Sequence, residues 1–358
     1  MKRSIVIFCC VRVCLMAQEA SSGFELRTTL STEGIYSQKL VASPRSGSPV
    51  TAGFRDILYP TWKLNEHWAV AGALQVHSRP YFVEQFSTQG YGVKTDVLQA
   101  HVSYSRMAKD RSLVVRVGQL SSSFGSFLLR YDDAENPLVD MPVTYGYYYK
   151  PITTYGLAGA QVDATAGKLD VRAQLTNSSP ANRRSLFDKD QYVNWSGGAG
   201  YTIAQGFRIG ASAYRGPYLH RQYMYYLPGE ARPRDLSSTG YGLDVQWARG
   251  PWNAYGEMQR FVKPYRAMPT FRQHGGYGEV RRVIHPRWYV AARLGYLRAS
   301  QGPGSNVYET AVGFRPNRYQ LAKIGYQRVQ VSSNGSMPAN TLVVQLVTSF
   351  RMVAIARD

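Results

Sequence analysis

The sequence predicts an all-β fold, a transmembrane antiparallel β-barrel of about 16 strands, and three observations carry the prediction. Sixteen short segments alternate polar and apolar residues between Phe24 and Arg351. The gaps between them are alternately very short and long. No apolar run approaches the ~20 residues that a membrane-spanning helix needs.

Taken in chain order, Lys2 and Arg3 precede the apolar stretch from Ser4 to Val11, and Ala17 is a small residue suited to a cleavage point. Residues 1–17 therefore read as a signal peptide and 18–358 as one exported barrel domain. Cys9, Cys10 and Cys14 all fall in the leader, so the mature chain offers neither a disulfide framework nor a cysteine metal site.

The segments that follow have the period of two expected of a strand with lipid on one face and water on the other. Leu169, Val171, Ala173 and Leu175 oppose Asp170, Arg172, Gln174 and Thr176. Phe207, Ile209, Ala211 and Ala213 oppose Arg208, Gly210, Ser212 and Tyr214. Tyr241, Leu243, Val245 and Trp247 oppose Gly242, Asp244, Gln246 and Ala248, and Leu342, Val344, Leu346, Thr348 and Phe350 oppose Val343, Gln345, Val347, Ser349 and Arg351. The stretches 52–63, 272–285 and 320–331 fit two registers, as bulges would produce.

Tight links fall at 64–66, 108–110, 166–167, 205–206, 249–251, 285–286 and 316–317, all rich in turn-forming residues. Wider excursions fall at 37–49, 79–92, 121–154, 177–192 and 216–238. Short turns on one rim and long loops on the other suit a bacterial outer-membrane barrel with its turns in the periplasm. A soluble β-sandwich also alternates, but nothing in its architecture makes long and short links take turns. Trp62, Trp68, Tyr104, Tyr201, Trp247, Trp252, Trp288 and Tyr289 lie near strand ends, where interfacial girdles form.

The net charge is +19, and loss of Lys2, Arg3 and Arg12 with the leader lowers it by three to +16. The basic residues form neither a run nor a helix face, which argues against nucleic acid as a partner. Loop residues Arg183, Arg184, Arg221, Arg232 and Arg234 suit the phosphates of outer-membrane lipid and lipopolysaccharide, or are simply solvated. Arg27, Arg116, Arg172, Arg208 and Arg293 have polar-face parity and are candidates to line water. In the longest connection Asp132, Asp133, Glu135 and Asp140 outnumber Arg130 and Lys150. Folded into the lumen, that loop would set an acidic strip opposite an arginine wall and sort small anionic or polar solutes by size and charge. The other reading keeps these acids in an external, solvated loop. Tyr145, Tyr147, Tyr148 and Tyr149, followed by Lys150, offer either a stacking track for sugars or an anchor for the loop.

Val117, Gly118 and Gln119, then Phe124 and Gly125, resemble the VGQ…FG stretch that opens the constriction loop of the phosphate-selective porin (porin O/P) family, over about Leu113 to Asp163. The resemblance implies an outer-membrane homotrimer of sixteen-stranded barrels, each with an inward-folded third loop at about 121–154. The chain departs from the family in two ways. Its loop is net acidic, where the phosphate-selective members carry a basic binding zone, and residues 351–358 extend past Phe350, where the family ends on an aromatic residue read by the barrel-assembly machinery.

No cofactor is expected. His67, His77, His101, His220, His274 and His285 sit in no recognisable catalytic motif, and HExxH, P-loop and paired-cysteine signatures are absent from the sequence. The expectation is a porin with a water-filled channel for passive diffusion and an anion preference, and not an enzyme. A plugged structural or adhesive barrel is the alternative, and an outer-membrane lipid-modifying enzyme a more distant one.

Overall fold

The computed structural model describes residues 22–41, 48–82, 85–86, 92–146, 155–177, 192–219, 235–266, 268–332 and 339–357. The leader, its three cysteines, His220 and the five loop arginines named above lie outside these residues.

Period-two alternation produces sixteen strands, as the sequence predicts: β1 (Ser22–Ser37), β2 (Val50–Lys63), β3 (Trp68–Arg79), β4 (Gly92–Met107), β5 (Arg111–Ser121), β6 (Tyr155–Ala166), β7 (Leu169–Thr176), β8 (Asn194–Ala204), β9 (Phe207–Pro217), β10 (Ser237–Arg249), β11 (Trp252–Lys263), β12 (Phe271–His285), β13 (Trp288–Ala299), β14 (Ser305–Phe314), β15 (Gln320–Val331) and β16 (Ala339–Arg357). Each pairs with its sequence neighbours, and β1 pairs with β16, so every strand edge is consumed. Closure is what makes such a sheet tolerable in lipid, where an unpaired backbone N–H or C=O costs several kcal/mol.

The tight links lie where the sequence places them. In β2 the ladder to β3 pairs Leu58 with Leu74 and Thr61 with Ala71 but skips Tyr59 and Pro60, because proline has no N–H to donate. Of the stretches that fit two registers, 272–285 contains a shift beside Val283 and His285, while β15 pairs with β14 and β16 without one. Residues 351–357 are not a free tail: they continue β16 and pair with β1 from Arg27 to Ser22 across a bulge.

The exterior is apolar, with Leu175, Leu243, Met258, Leu294 and Ile324 all more than half exposed. At the short-turn rim Trp62, Trp68, Tyr201, Trp247, Trp252 and Trp288 are exposed as a girdle should be. Tyr289 is a correction to the expected girdle. Its parity turns it inward, where it is 4% exposed and donates to Pro137 O at 3.0 Å.

Candidate pore site

The described part of the third loop (122–146) is held by the inner faces of strands from around the cylinder. Its first turn depends on Gly125, at φ +80°, where a Cβ would fall on the Tyr145 hydroxyl and lie 2.6 Å from Glu257 Oε1. Gly118, the other glycine of the VGQ…FG stretch, is at φ +139°, and a Cβ there would collide with Ala100 O and His101 Cα. Both glycines are therefore backbone requirements. Glu257 on β11 accepts from Tyr145 Oη at 2.6 Å, Ser126 Oγ at 3.2 Å, Ser126 N at 3.3 Å and Tyr277 Oη at 3.3 Å.

Further along, Asp133 takes hydrogen bonds from Ser31 Oγ and Tyr81 Oη, both at 2.8 Å, and from Arg55 Nη1 at 3.0 Å. Arg55 is 1% exposed, donates through Nε to Gln75 at 2.8 Å, and lies over the Tyr131 ring at 4.3 Å. Lys323 on β15 donates to three loop carbonyls, of Asp133, Asn136 and Leu138, at 2.9 to 3.2 Å. Arg130 reaches back to Glu279 and lies over Tyr255. Groups from β1, β2, β11, β12, β13 and β15 all converge on one segment, which places it inside the cylinder.

That placement overturns the expected face-off between loop acids and wall arginines. Asp133 and Asp140 are buried, and Asp132 accepts from Thr29 at 3.0 Å and Tyr59 at 2.6 Å. Burial raises the Asp133 carboxyl, but Arg55 and Lys323, with the Ser31 and Tyr81 hydrogen bonds, more than offset this and hold it below its ordinary value. Burial pushes Asp140 above its own. Of the four acids, Glu135 alone is exposed.

Arg293 is a second correction. It faces inward as its parity requires, but at 1% exposure it is sealed between Glu279 at 2.7 Å and Glu309 at 2.8 Å, and donates to Asp140 O and Asn136 Oδ1. It anchors the loop and does not face water. Tyr145 is likewise buried and its hydroxyl holds Glu257, the anchoring role rather than the sugar track. Tyr147, Tyr148, Tyr149 and Lys150 lie outside the described residues.

Of the remaining arginines, Arg116, Arg172 and Arg208 lie on the inner faces of β5, β7 and β9, and Arg27 on that of β1 near the short-turn rim. Arg27 is 44% exposed, with Glu25 at 3.8 Å, and Arg116 pairs with Asp163 at about one-quarter exposure. Arg208 is clasped by Asp170 at 2.6 Å and Asp244 at 2.7 Å, in space left by Gly200 and Gly210. Lys94 pairs with Asp96 at 2.8 Å and is 44% exposed. Arg172, on the same face of β7, is half-buried and has no ion pair among the described residues.

Sequence reasoning missed Arg55, Lys323 and Glu257. Parity turns all three inward, but Arg55 and Lys323 lie in stretches that fit two registers, so the signal that would have found them was blurred. The histidines do not converge: His77 and His101 face inward on β3 and β4, His274 outward on β12, and His67 and His285 lie at the turn rim. Among the described residues no group of three or more His, Cys, Asp or Glu side chains has a metal-binding arrangement.

A closed sixteen-stranded antiparallel cylinder with a lipid-compatible exterior and a largely polar inner wall is a transmembrane β-barrel of the bacterial outer membrane. Solved structures agree on that fold. The chain is similar to the anion-selective porin from Comamonas acidovorans, with a TM-score of 0.64 and 9% identity over 92% of this chain and 100% of that one. It is similar also to Salmonella typhi OmpF in complex with daunomycin, at TM-score 0.61 and 8% identity over 92% and 98%. OmpT, an outer membrane protein of Vibrio cholerae, folded in vitro, matches at TM-score 0.60 and 9% identity over 93% and 99%. The sequence matches no protein-family model and no curated protein.

Proposed function

We propose that the protein is a porin: a water-filled channel for passive diffusion of small hydrophilic solutes, with a preference for anions. The observation that carries the reading is the burial of the loop carboxylates. With Asp133 and Asp140 turned into the wall, Glu135 is the one loop carboxylate left exposed; of the inward-facing cations, Arg27, Lys94 and Arg116 are each matched by an acid, whereas Arg172 and Arg281 have no carboxylate partner among the described residues. The field across the open part of the lumen is then net positive, and a low-dielectric surround focuses it. The anion-selective porin of the same fold is consistent with this. Kinship with the phosphate-selective porins rests on the VGQ…FG stretch, whose two glycines occupy backbone positions that an L side chain would strain.

A homotrimer fits one feature of the outer surface. Asp56 on β2 faces outward, six residues from the girdle residue Trp62, with Thr28 donating to it at 2.6 Å. A carboxylate there is costly against lipid and tolerable against a second subunit.

One observation favours the plugged reading. Phe124, Phe127, Tyr131, Tyr145, Tyr214, Phe261 and Tyr277 form a buried aromatic cluster inside the cylinder. Planar-bilayer recording separates the two. A channel gives stepwise conductance and a reversal potential of anionic sign in a salt gradient, whereas a plug gives no steps.

A further inference from the structure

The outward faces of β9 to β15 carry an unusual separation of charge. Every carboxylate on β10 to β14, namely Asp244, Glu257, Glu279 and Glu309, points inward and is buried. Arg215, Arg260, Arg272, Arg298 and Arg328 all point outward, and all lie at the long-loop ends of their strands. None of the five has a carboxylate partner among the described residues.

Three basic side chains stand side by side in the ladder. Arg260 is directly opposite His274, and His274 is directly opposite Arg298, on three consecutive strands. Two strand spacings, about 10 Å, separate the Arg260 and Arg298 positions, so two like charges face lipid on either side of the imidazole with no acid between them. Arg272 stands two residues above His274 on the same face. Arg298 is fixed by its own donations to Leu297 O at 2.9 Å, Ser305 O at 2.8 Å and Asn306 Oδ1 at 2.8 Å, and Gly304 leaves the room it occupies. Tyr241 stands opposite Arg260 in the same row; the next row down carries Leu243, Met258 and Tyr296, and the one below it Val245, Leu294 and Tyr308.

The depth is set by the opposite girdle. Trp288 and Arg298 are ten residues apart on β13, about 33 Å along the strand and about 25 Å along the axis at a tilt near 40°. That is the height of the apolar band of such a barrel. The basic row therefore lies at the level of the outer-leaflet headgroups, with mixed aliphatic and tyrosine surface below it.

We infer that Arg260, Arg272, His274 and Arg298 form a binding site for a phosphorylated lipid of the outer leaflet, whose phosphates the arginines hold and whose acyl chains lie on the Tyr296, Leu294 and Met258 surface. Guanidinium groups suit phosphate because their planar forks make charge-assisted pairs of hydrogen bonds. The site rests on the barrel fold alone and stands whether or not the lumen conducts.

The test uses the purified full-length barrel in detergent, titrated with fluorescent lipopolysaccharide at 0.1 M salt. The R260Q/R272Q/R298Q variant should bind at least about tenfold more weakly. The Arg→Lys version of the same triple should recover much of the loss, and R249Q/R282Q, at the opposite rim, should match the parent. Removing the phosphates from the lipopolysaccharide should weaken binding as the Gln triple does. Affinity within twofold of the parent in the Gln triple, or equal loss in the opposite-rim variant, overturns the site. If inorganic phosphate or phosphatidylglycerol competes as well as lipopolysaccharide, the assignment to an outer-leaflet lipid held by several phosphates and its acyl chains together is wrong. Should the Gln triple not fold, as judged by heat-modifiable gel migration, the salt response of the parent decides. Affinity must fall steeply between 0.05 and 0.5 M, and a flat response refutes the phosphate contacts.

Discussion

Replacing Arg55 by alanine should loosen the third loop without unfolding the barrel. The guanidinium makes four polar or stacking contacts that matter: Gln75 at 2.8 Å, Asp133 at 3.0 Å, Tyr131 O at 3.3 Å and the Tyr131 ring at 4.3 Å. Both partners of the ion pair are buried, with side-chain exposures of 1% and 5%. Removing one partner of a buried pair costs about 3–5 kcal/mol, chiefly because the other charge is left without compensation. Asp133 would keep Ser31 and Tyr81, which argues for the lower end. The backbone ladders of β1, β2 and β3 do not involve the side chain, so the cost falls on the docking of the loop. About 3 kcal/mol is a little over a hundredfold in an opening equilibrium. Hydrogen exchange reads it directly at the amides of Glu135 and Asn136, which donate to Asp132 O at 2.9 Å, and of Leu138, which donates to Asn136 Oδ1 at 3.2 Å. Those amides should exchange about a hundredfold faster while strand amides stay protected. Unchanged loop exchange in the folded variant would refute the claim that this pair holds the loop.

Gly125→Ala should displace Tyr145 from Glu257, because the added methyl occupies the hydroxyl's place and the φ of +80° is strained for an L side chain by roughly 1–2 kcal/mol. Faster proteolysis within the loop, with heat-modifiable migration intact, is the expected result. Arg116→Gln together with Arg172→Gln should move the reversal potential in a salt gradient toward zero, and the difference from the parent should shrink as salt rises above 0.1 M, where the Debye length is about 10 Å. The pH dependence of loop docking follows from Asp133, whose carboxyl is held below its ordinary value. For a depressed acid the stabilisation is complete above the unfolded value, roughly pH 4, and is lost as pH falls through the lower folded value. Loop exchange, corrected for its intrinsic rate, should therefore show no contribution from Asp133 between pH 7 and 5 and accelerate below pH 4, and Asp133→Asn should abolish that acid limb.

The strands, their order and the two rims were legible in the sequence because a strand's side-chain period is local. Asp170, Arg172, Gln174 and Thr176 face inward for no reason beyond their odd-even position, and the turns at 108–110 and 205–206 announce themselves by composition. Even the inward direction of Arg293 followed from parity. What parity does not encode is which inward residues a distant segment will cover. Arg293 and Arg116 share the inward-facing parity, yet one is sealed beneath the third loop and the other faces water. Arg55 and Lys323 meet the loop across separations of 78 and 190 residues, in stretches whose register was open until neighbouring strands paired. The sequence by itself determined a closed cylinder with a greasy outside and a polar inner wall, since alternation and turn chemistry act over a few residues. Only the tertiary structure decided which charges neutralise one another and which remain exposed to water, because burial and ion pairing depend on where the third loop comes to rest.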